Sequence, residues 1–271
     1  MKKLLVFLMC AILVCSCFAF TACKKDEDKE DVTTIVEDVT DENGNLKTLG
    51  GKTPEQLYAD ASTLLKNATN FTLTAVQDIR IDMDGEIIEV KQTVVQEVDG
   101  DNSHYKTSSD MEGTDSEGWY VDGVIYAEMS GVKAKATISK KDYYEKFLGS
   151  SEEENKILDI PESWFSDIVI KQEGEEYYIQ FSVSGEEYSK LLNKADLEAT
   201  IKGNVDYKVY FSKDGKILRM ESDFEMDVMG ATATTHTESI FTEVGTTKKV
   251  TAPADGDSYT DVTDQFNAKI D

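Results

Sequence analysis

Residues 218–228 read Leu-Arg-Met-Glu-Ser-Asp-Phe-Glu-Met-Asp-Val. Leu218, Met220, Phe224, Met226 and Val228 fall on one side of an extended chain. Arg219, Glu221, Asp223, Glu225 and Asp227 fall on the other. Successive strand side chains point to opposite faces, so this stretch calls for a sheet with one face in a core and the other in water. A helical period of 3.6 would smear those charges around the whole circumference.

The same period-2 pattern recurs along the chain. Phe71, Leu73, Ala75, Ile79 and Ile81 alternate with Thr72, Thr74, Asp78 and Arg80. After Asp84-Gly85, Ile88, Val90, Val94 and Val98 alternate with Glu89, Lys91, Thr93 and Glu97. Asp84-Gly85, Asp99-Gly100, Asp122-Gly123 and Asp214-Gly215 are hairpin signals between such runs. A weaker strand is predicted over 103–111, a hairpin over 119–129, and strands over 177–183, 205–211 and 232–244. Antiparallel meanders have this rhythm.

Helices interrupt the strands. Thr53-Pro54-Glu55-Gln56 carries an N-cap, a proline at the first helical position and a capping-box partner. Leu57, Ala61, Leu64, Leu65 and Ala68 then form one apolar stripe. Ser139 with Asp142 predicts a second helix bearing Tyr143, Tyr144, Phe147 and Leu148 and stopping near Gly149. Pro161 opens a short turn containing Trp164, Phe165 and Ile168. Ser184 and Glu187 predict a third helix with Tyr188, Leu191, Leu192 and Ala195 on one face. The tail from Val250 to the end is expected to wrap a sheet edge or fray.

All four cysteines lie in the first 23 residues. Lys2 and Lys3 precede an apolar run that ends at Phe20-Thr21-Ala22-Cys23, the pattern of a bacterial lipoprotein signal peptide. Small Ala22 and Thr21 suit a signal peptidase cleft, and the Cys23 thiolate is the nucleophile that takes a diacylglyceryl group. Phe20 departs from the aliphatic residue usual at that position. Val14-Cys15-Ser16-Cys17 is a second, weaker lipobox. Secretory cleavage after Ala22 and an uncleaved spanning helix are further readings, although about 17 apolar residues is short for a span. With Cys10, Cys15 and Cys17 removed and Cys23 acylated, the mature chain has no disulfide, so its core alone must hold it.

Asp and Glu number 53 against 28 Lys and Arg, for a formal net charge of −25. Losing the two leader lysines makes the mature chain more acidic still. Such a surface excludes nucleic acid, which needs cations against phosphates, and flat adsorption on an anionic membrane. Residues 24–52 are polar, Gly-rich and acidic and read as a disordered tether. With two histidines, His104 and His236, no zinc or iron–sulfur site is expected, and no cofactor. No phosphate loop or His-Glu-x-x-His motif is present. Asp82-Met83-Asp84-Gly85-Glu86 has the start of a calcium loop but lacks its remaining ligands and sits at a hairpin turn. Asn67-Ala68-Thr69 and Asn70-Phe71-Thr72 match glycosylation sequons, which a bacterial lipoprotein does not usually use. Met83, Met111, Met129, Met220, Met226 and Met229 fall in strand-like stretches and suit either an adaptable lining or an ordinary core.

The order of lipobox, acidic linker, capped helix, long strands, helical insert and further long strands resembles the LolA/LppX-like lipoproteins. So do the phrases Tyr120-Val121-Asp122-Gly123-Val124-Ile125-Tyr126, Gly185-Glu186-Glu187-Tyr188-Ser189-Lys190-Leu191-Leu192 and Tyr210-Phe211-Ser212-Lys213-Asp214-Gly215. The resemblance covers about residues 53–254. It implies a half-open antiparallel barrel closed by helices, with a lipid or acyl chain held between them in several members. It carries no ligand residue over.

The resulting expectation is an α+β fold, a strongly curved antiparallel sheet (a half-open barrel) with a few helices on its concave face. Residues 1–22 form the signal peptide, 23–52 the lipidated tether and 53–271 one domain. The predicted function is non-enzymatic: a cell-envelope lipoprotein anchored through Cys23 to the outer face of the cell membrane. It binds a lipid or acyl chain against Leu73, Val90, Val94, Met129, Leu218, Met220, Phe224 and Met226. The alternative is a surface interaction module with a filled core, acting through an envelope protein partner.

Overall fold

A computed structural model of the protein describes residues 40, 45–142, 165–194, 199–213, 216–228 and 230–265. The leader, Cys23, Tyr143, Tyr144, Phe147, Leu148, Gly149, Pro161, Trp164, Ala195, Asp214-Gly215 and Met229 lie outside the described residues, as do the side chains of Phe165, Leu191 and Leu192.

Helix α1 (Pro54–Asn67) starts as its sequence dictates. Gln56 N donates to Thr53 Oγ1 at 3.4 Å, and Thr53 N donates to Gln56 Oε1 at 2.9 Å. Leu57, Ala61 and Leu65 are buried. Leu64, expected on the same stripe, is 48% exposed. At 100° per residue it falls beside the stripe rather than on it.

Strands then follow in chain order: β1 (Asn70–Met83), β2 (Glu86–Asp99), β3 (Asn102–Ser109), β4 (Ser116–Val121), β5 (Val124–Met129) and β6 (Val132–Thr137). After a three-residue helix, α2 (Lys140–Asp142), come β7 (Phe165–Glu173), β8 (Glu176–Ser184), helix α3 (Gly185–Lys194), β9 (Ala199–Phe211), β10 (Ile217–Val228), β11 (Ala231–Thr242) and β12 (Thr260–Asp261). They make one sheet in the order β12-β6-β5-β4-β3-β2-β1-β11-β10-β9-β8-β7. β1 pairs with β2 on one side and β11 on the other, which joins two meanders into a continuous surface. The sheet does not close: β6 with β12 lies at one edge and β7 at the other. The architecture is the expected α+β one, a curved open sheet with helices. It departs from a purely antiparallel sheet because β12 pairs with β6 in parallel.

The turn residues do what their sequences require. Asp84-Gly85 and Asp122-Gly123 both have positive φ at both positions, the backbone that a tight two-residue hairpin needs. Three elements differ from expectation. Phe165 and Ile168 belong to strand β7 rather than to a turn. β6 is an added strand: Val132, Ala134 and Ala136 alternate with Lys133, Lys135 and Thr137, but two of the three apolar residues are alanines, a weak strand signal. The end of the expected tether is ordered, because Leu49 is 1% exposed and Leu46 N donates to Ile170 O at 3.1 Å. Leu46 and Leu49 supply apolar surface that the rest of that segment lacks.

Both sheet edges are therefore occupied by chain from outside the meanders, which removes free templates for edge-to-edge pairing. Leu46 bridges to β7, and the tail reaches β6, as expected of a tail that wraps an edge.

The helices cover the C-terminal half of the inner face. Tyr58 of α1 meets Phe181 of β8 edge-on at 5.4 Å. α3 lies against β8 and β9. Ser189 Oγ accepts from Ile201 N at 2.8 Å and donates to Gly185 O at 2.6 Å. Gly185 permits that approach, since a Cβ there would stand 2.3 Å from Gly203 O.

Candidate functional site: the two faces of the sheet

Register decides which side chains share a face. Leu73, Ala75, Gln77, Ile79 and Ile81 of β1 pair with Gln96, Val94, Gln92, Val90 and Ile88 of β2. On the other side they pair with Phe241, Ser239, Thr237, Thr235 and Ala233 of β11. Next to these, β10 presents Met220, Ser222, Phe224 and Met226. None of these inner-face positions carries a charge.

Of the eight predicted lining residues, six lie on this surface. Leu73, Val90, Val94, Phe224 and Met226 are buried on it, and Met220 packs against the same core. Two do not serve as predicted. Leu218 is 39% exposed, because a register shift between Ile217 and Arg219 gives the inward place opposite Phe211 to Ile217. Met129 is on the right face but ends β5 at a hairpin tip, where it is 42% exposed.

The sequence reading passed over the polar residues of this face. Gln77, Gln92, Gln96, Thr107, Thr235, Thr237 and Ser239 are all buried. They run as a band across β3, β2, β1 and β11, between two apolar zones. Gln92 Nε2 donates to Gln77 Oε1, and Gln77 Nε2 donates to Thr237 Oγ1 at 3.3 Å. Among the described residues, Gln96 Oε1 and Thr235 Oγ1 have no hydrogen-bond partner. An unpaired buried polar atom costs about 1–3 kcal/mol. The available signal was the inward register: glutamine at 77, 92 and 96 breaks each run where a valine or isoleucine belongs.

The outer face is the opposite in character. Lys91, Asp78, His236, Asp223 and Asp206 lie in one row across five strands. Lys91 Nζ is 3.3 Å from Asp78 Oδ1, and His236 Nδ1 is 2.7 Å from Asp223 Oδ1. This row floors a groove of about 640 Å³, which Arg80, Glu89, Asp110 and Glu225 also line. Ile79, Val90, Phe224 and Thr235 line it as well, so the groove takes in two of the predicted lining residues along with the charged row. Asp82, from the calcium-loop-like stretch, accepts from Gly85 N at 2.9 Å and fastens the hairpin turn.

His104 also lies on the outer face. Its Nδ1 stands 2.7 Å from Glu97 and its Nε2 2.9 Å from Glu117, while its ring stacks on Trp119 at 4.8 Å. Beyond it, Tyr259 of the tail meets Tyr126 edge-on at 5.5 Å. This is a packing cluster held by the returning tail. At the other end of the outer face, Arg219 lies 3.6 Å over the Tyr210 ring and makes two 2.7 Å contacts with Glu176. Burial, first, and the hydrogen bond to Glu221 push the Tyr210 hydroxyl up to about 12.

Comparison with solved structures returns proteins to which this chain is similar. LprF from Mycobacterium bovis is 11% identical, with 74% of this chain and 95% of that chain covered and a TM-score of 0.41. A DUF1329 family protein from Desulfovibrio piger is 10% identical, with 75% and 95% covered and a TM-score of 0.26. A LolA superfamily protein from Nitrosomonas europaea is 10% identical, with 75% and 96% covered and a TM-score of 0.26. No family model matches the sequence, and no curated relative matches it. The last of these structures bears the name of the superfamily that the sequence resembles. At these scores they carry no residue or activity over, so function is argued from this chain's own side chains.

Proposed function

We propose that this protein is a non-enzymatic, lipid-anchored protein of the extracytoplasmic face that holds a lipid or acyl chain against the inner face of its sheet. The supporting observation is the charge asymmetry between faces. In a chain with 53 acidic side chains, the inner face of β1, β2, β10 and β11 carries one, Glu86 at the β1–β2 hairpin tip. Such a surface gains about 0.8 kcal/mol for each methylene it takes from water, and needs no other chemistry to retain a long chain. Cys23 is the proposed anchor.

Titration with an alkyl-chain fluorophore tests the ligand reading. Saturable binding at one site per chain supports it, and signal that rises without saturation contradicts it. The anchor is tested separately. Cys23→Ser should move the protein out of the detergent phase after phase separation; unchanged partition would refute lipidation at that residue.

The outer groove favours a second reading, an interaction module. Its mixed but predominantly acidic lining suits a basic protein partner. A protein that binds no lipid, together with a salt-sensitive partner captured on the groove, would establish it.

A further inference from the structure

The chain after β11 is held to the sheet by two separate clasps. The first lies where β1 starts and β2 ends. Gly245 N donates to Asn70 O at 2.7 Å, and the N of buried Val250 donates to Asp99 at 3.2 Å. The second lies at the β6 edge. Lys133 Nζ donates to Asp255 at 2.6 Å, Lys135 Nζ donates to Gly256 O at 3.0 Å, and Tyr259 is buried beside Trp119 and Tyr126. Between the clasps Thr251, Ala252 and Ala254 are exposed and make no hydrogen bond among the described residues. The second clasp can therefore open while the first stays shut.

That second clasp is built like a bound peptide. Thr260 and Asp261 add to the edge of β6 as a parallel strand, and Val262 N donates to Lys135 O at 2.9 Å. Strand addition draws its affinity from main-chain bonds and its specificity from alternate side chains. The strap uses only two residues of ladder on a six-residue edge. It sets carboxylates against the cations of that edge: Asp255 bonds Lys133, and Asp261 stands in register with Lys135. We propose that the β6 edge, with Trp119 and Tyr126, is a binding site for an acidic, extended segment of a partner protein carrying one aromatic residue. The strap fills this site in cis as an autoinhibitory stand-in. The site is separate from the inner face and does not depend on lipid binding there.

A strap on a short link competes at an effective concentration of about a millimolar, so the intact chain should take a free segment only weakly. The probe is a fluorescein-labelled peptide of residues 251–265, titrated by anisotropy against the full chain and against its Tyr259→Ala variant. Half-saturation should come at a peptide concentration at least about tenfold lower for the variant, whose own strap has lost its anchor. The same peptide carrying Tyr259→Ala should bind neither chain. Asp255→Asn, which removes only an exposed ion pair, gives a second opened chain if the first misfolds, with a smaller gain in the same direction. In the opened chain Lys133→Glu should abolish peptide binding, whereas Lys213→Glu, exposed after β9, should leave it unchanged. Equal half-saturation for the parent and the opened chain, binding to neither, or binding that survives Lys133→Glu would overturn the proposal.

Discussion

Tyr210 shows how a single residue on the outer face ties strands together. Its ring lies under Arg219, and its hydroxyl donates to Glu221 at 3.0 Å. The raised pKa of about 12 has a testable consequence for stability. Between pH 10 and 12 the unfolded chain gives up this proton while the folded chain keeps it. Stability is therefore intact below pH 10 and falls as pH rises through the window, by about 2–3 kcal/mol in all. Denaturant unfolding of the parent should show that loss, and Tyr210→Phe should show less of it over the same range. Identical pH profiles for the two proteins would contradict the assignment. Residue by residue, the inward aliphatics were legible because β1 and β2 keep their alternation on either side of the inward glutamines. Gln77, Gln92 and Gln96 were not, since polarity alone puts a glutamine in water and only pairing with the neighbouring strand reveals which way it points. Leu218 misled for a related reason: a bulge breaks the alternation, and nothing in the local sequence announces it.

Elements were legible where the local chemistry is strong. Thr53 and Gln56 fixed the start of α1, and Thr53→Ala should cost about 1 kcal/mol, measurable as a lower unfolding midpoint. The Asp-Gly pairs fixed the turns after β1 and β4. The tail is a different matter, because its role depends on a distant surface. It runs from Gly245, whose N donates to Asn70 O at 2.7 Å, to Val250, which bonds Asp99 at 3.2 Å, and then to β6. Lys133 clasps Asp255 at 2.6 Å on the way. Tyr259, 3% exposed, is the residue that seats this strap on Trp119 and Tyr126. Tyr259→Ala should therefore cost about 3 kcal/mol and red-shift the emission of Trp119 as water reaches its ring. A variant with unchanged stability and emission would mean that the strap is not fastened there. Val250 and Tyr259 stand in a stretch with few apolar residues, so the sequence could show a tail but not where it would dock.

On the scale of the whole molecule, the fold separates charge from apolar surface almost completely. One broad sheet carries its ionisable groups on the outer side and a neutral surface on the inner side, with helices α1 and α3 over β7, β8 and β9. Alternation made the two-faced sheet readable from the sequence. It could not show that β1 would join both meanders, nor that the groove of about 640 Å³ would form along the charged row. The claim that the neutral face holds a ligand is tested most directly on the protein as it comes from cells. Native mass spectrometry of the full chain, followed by organic extraction, reads the mass of whatever is bound. The account predicts one lipid per chain, lost when the protein is unfolded. A bare protein mass that stays bare after incubation with neutral lipids and fatty acids would contradict it.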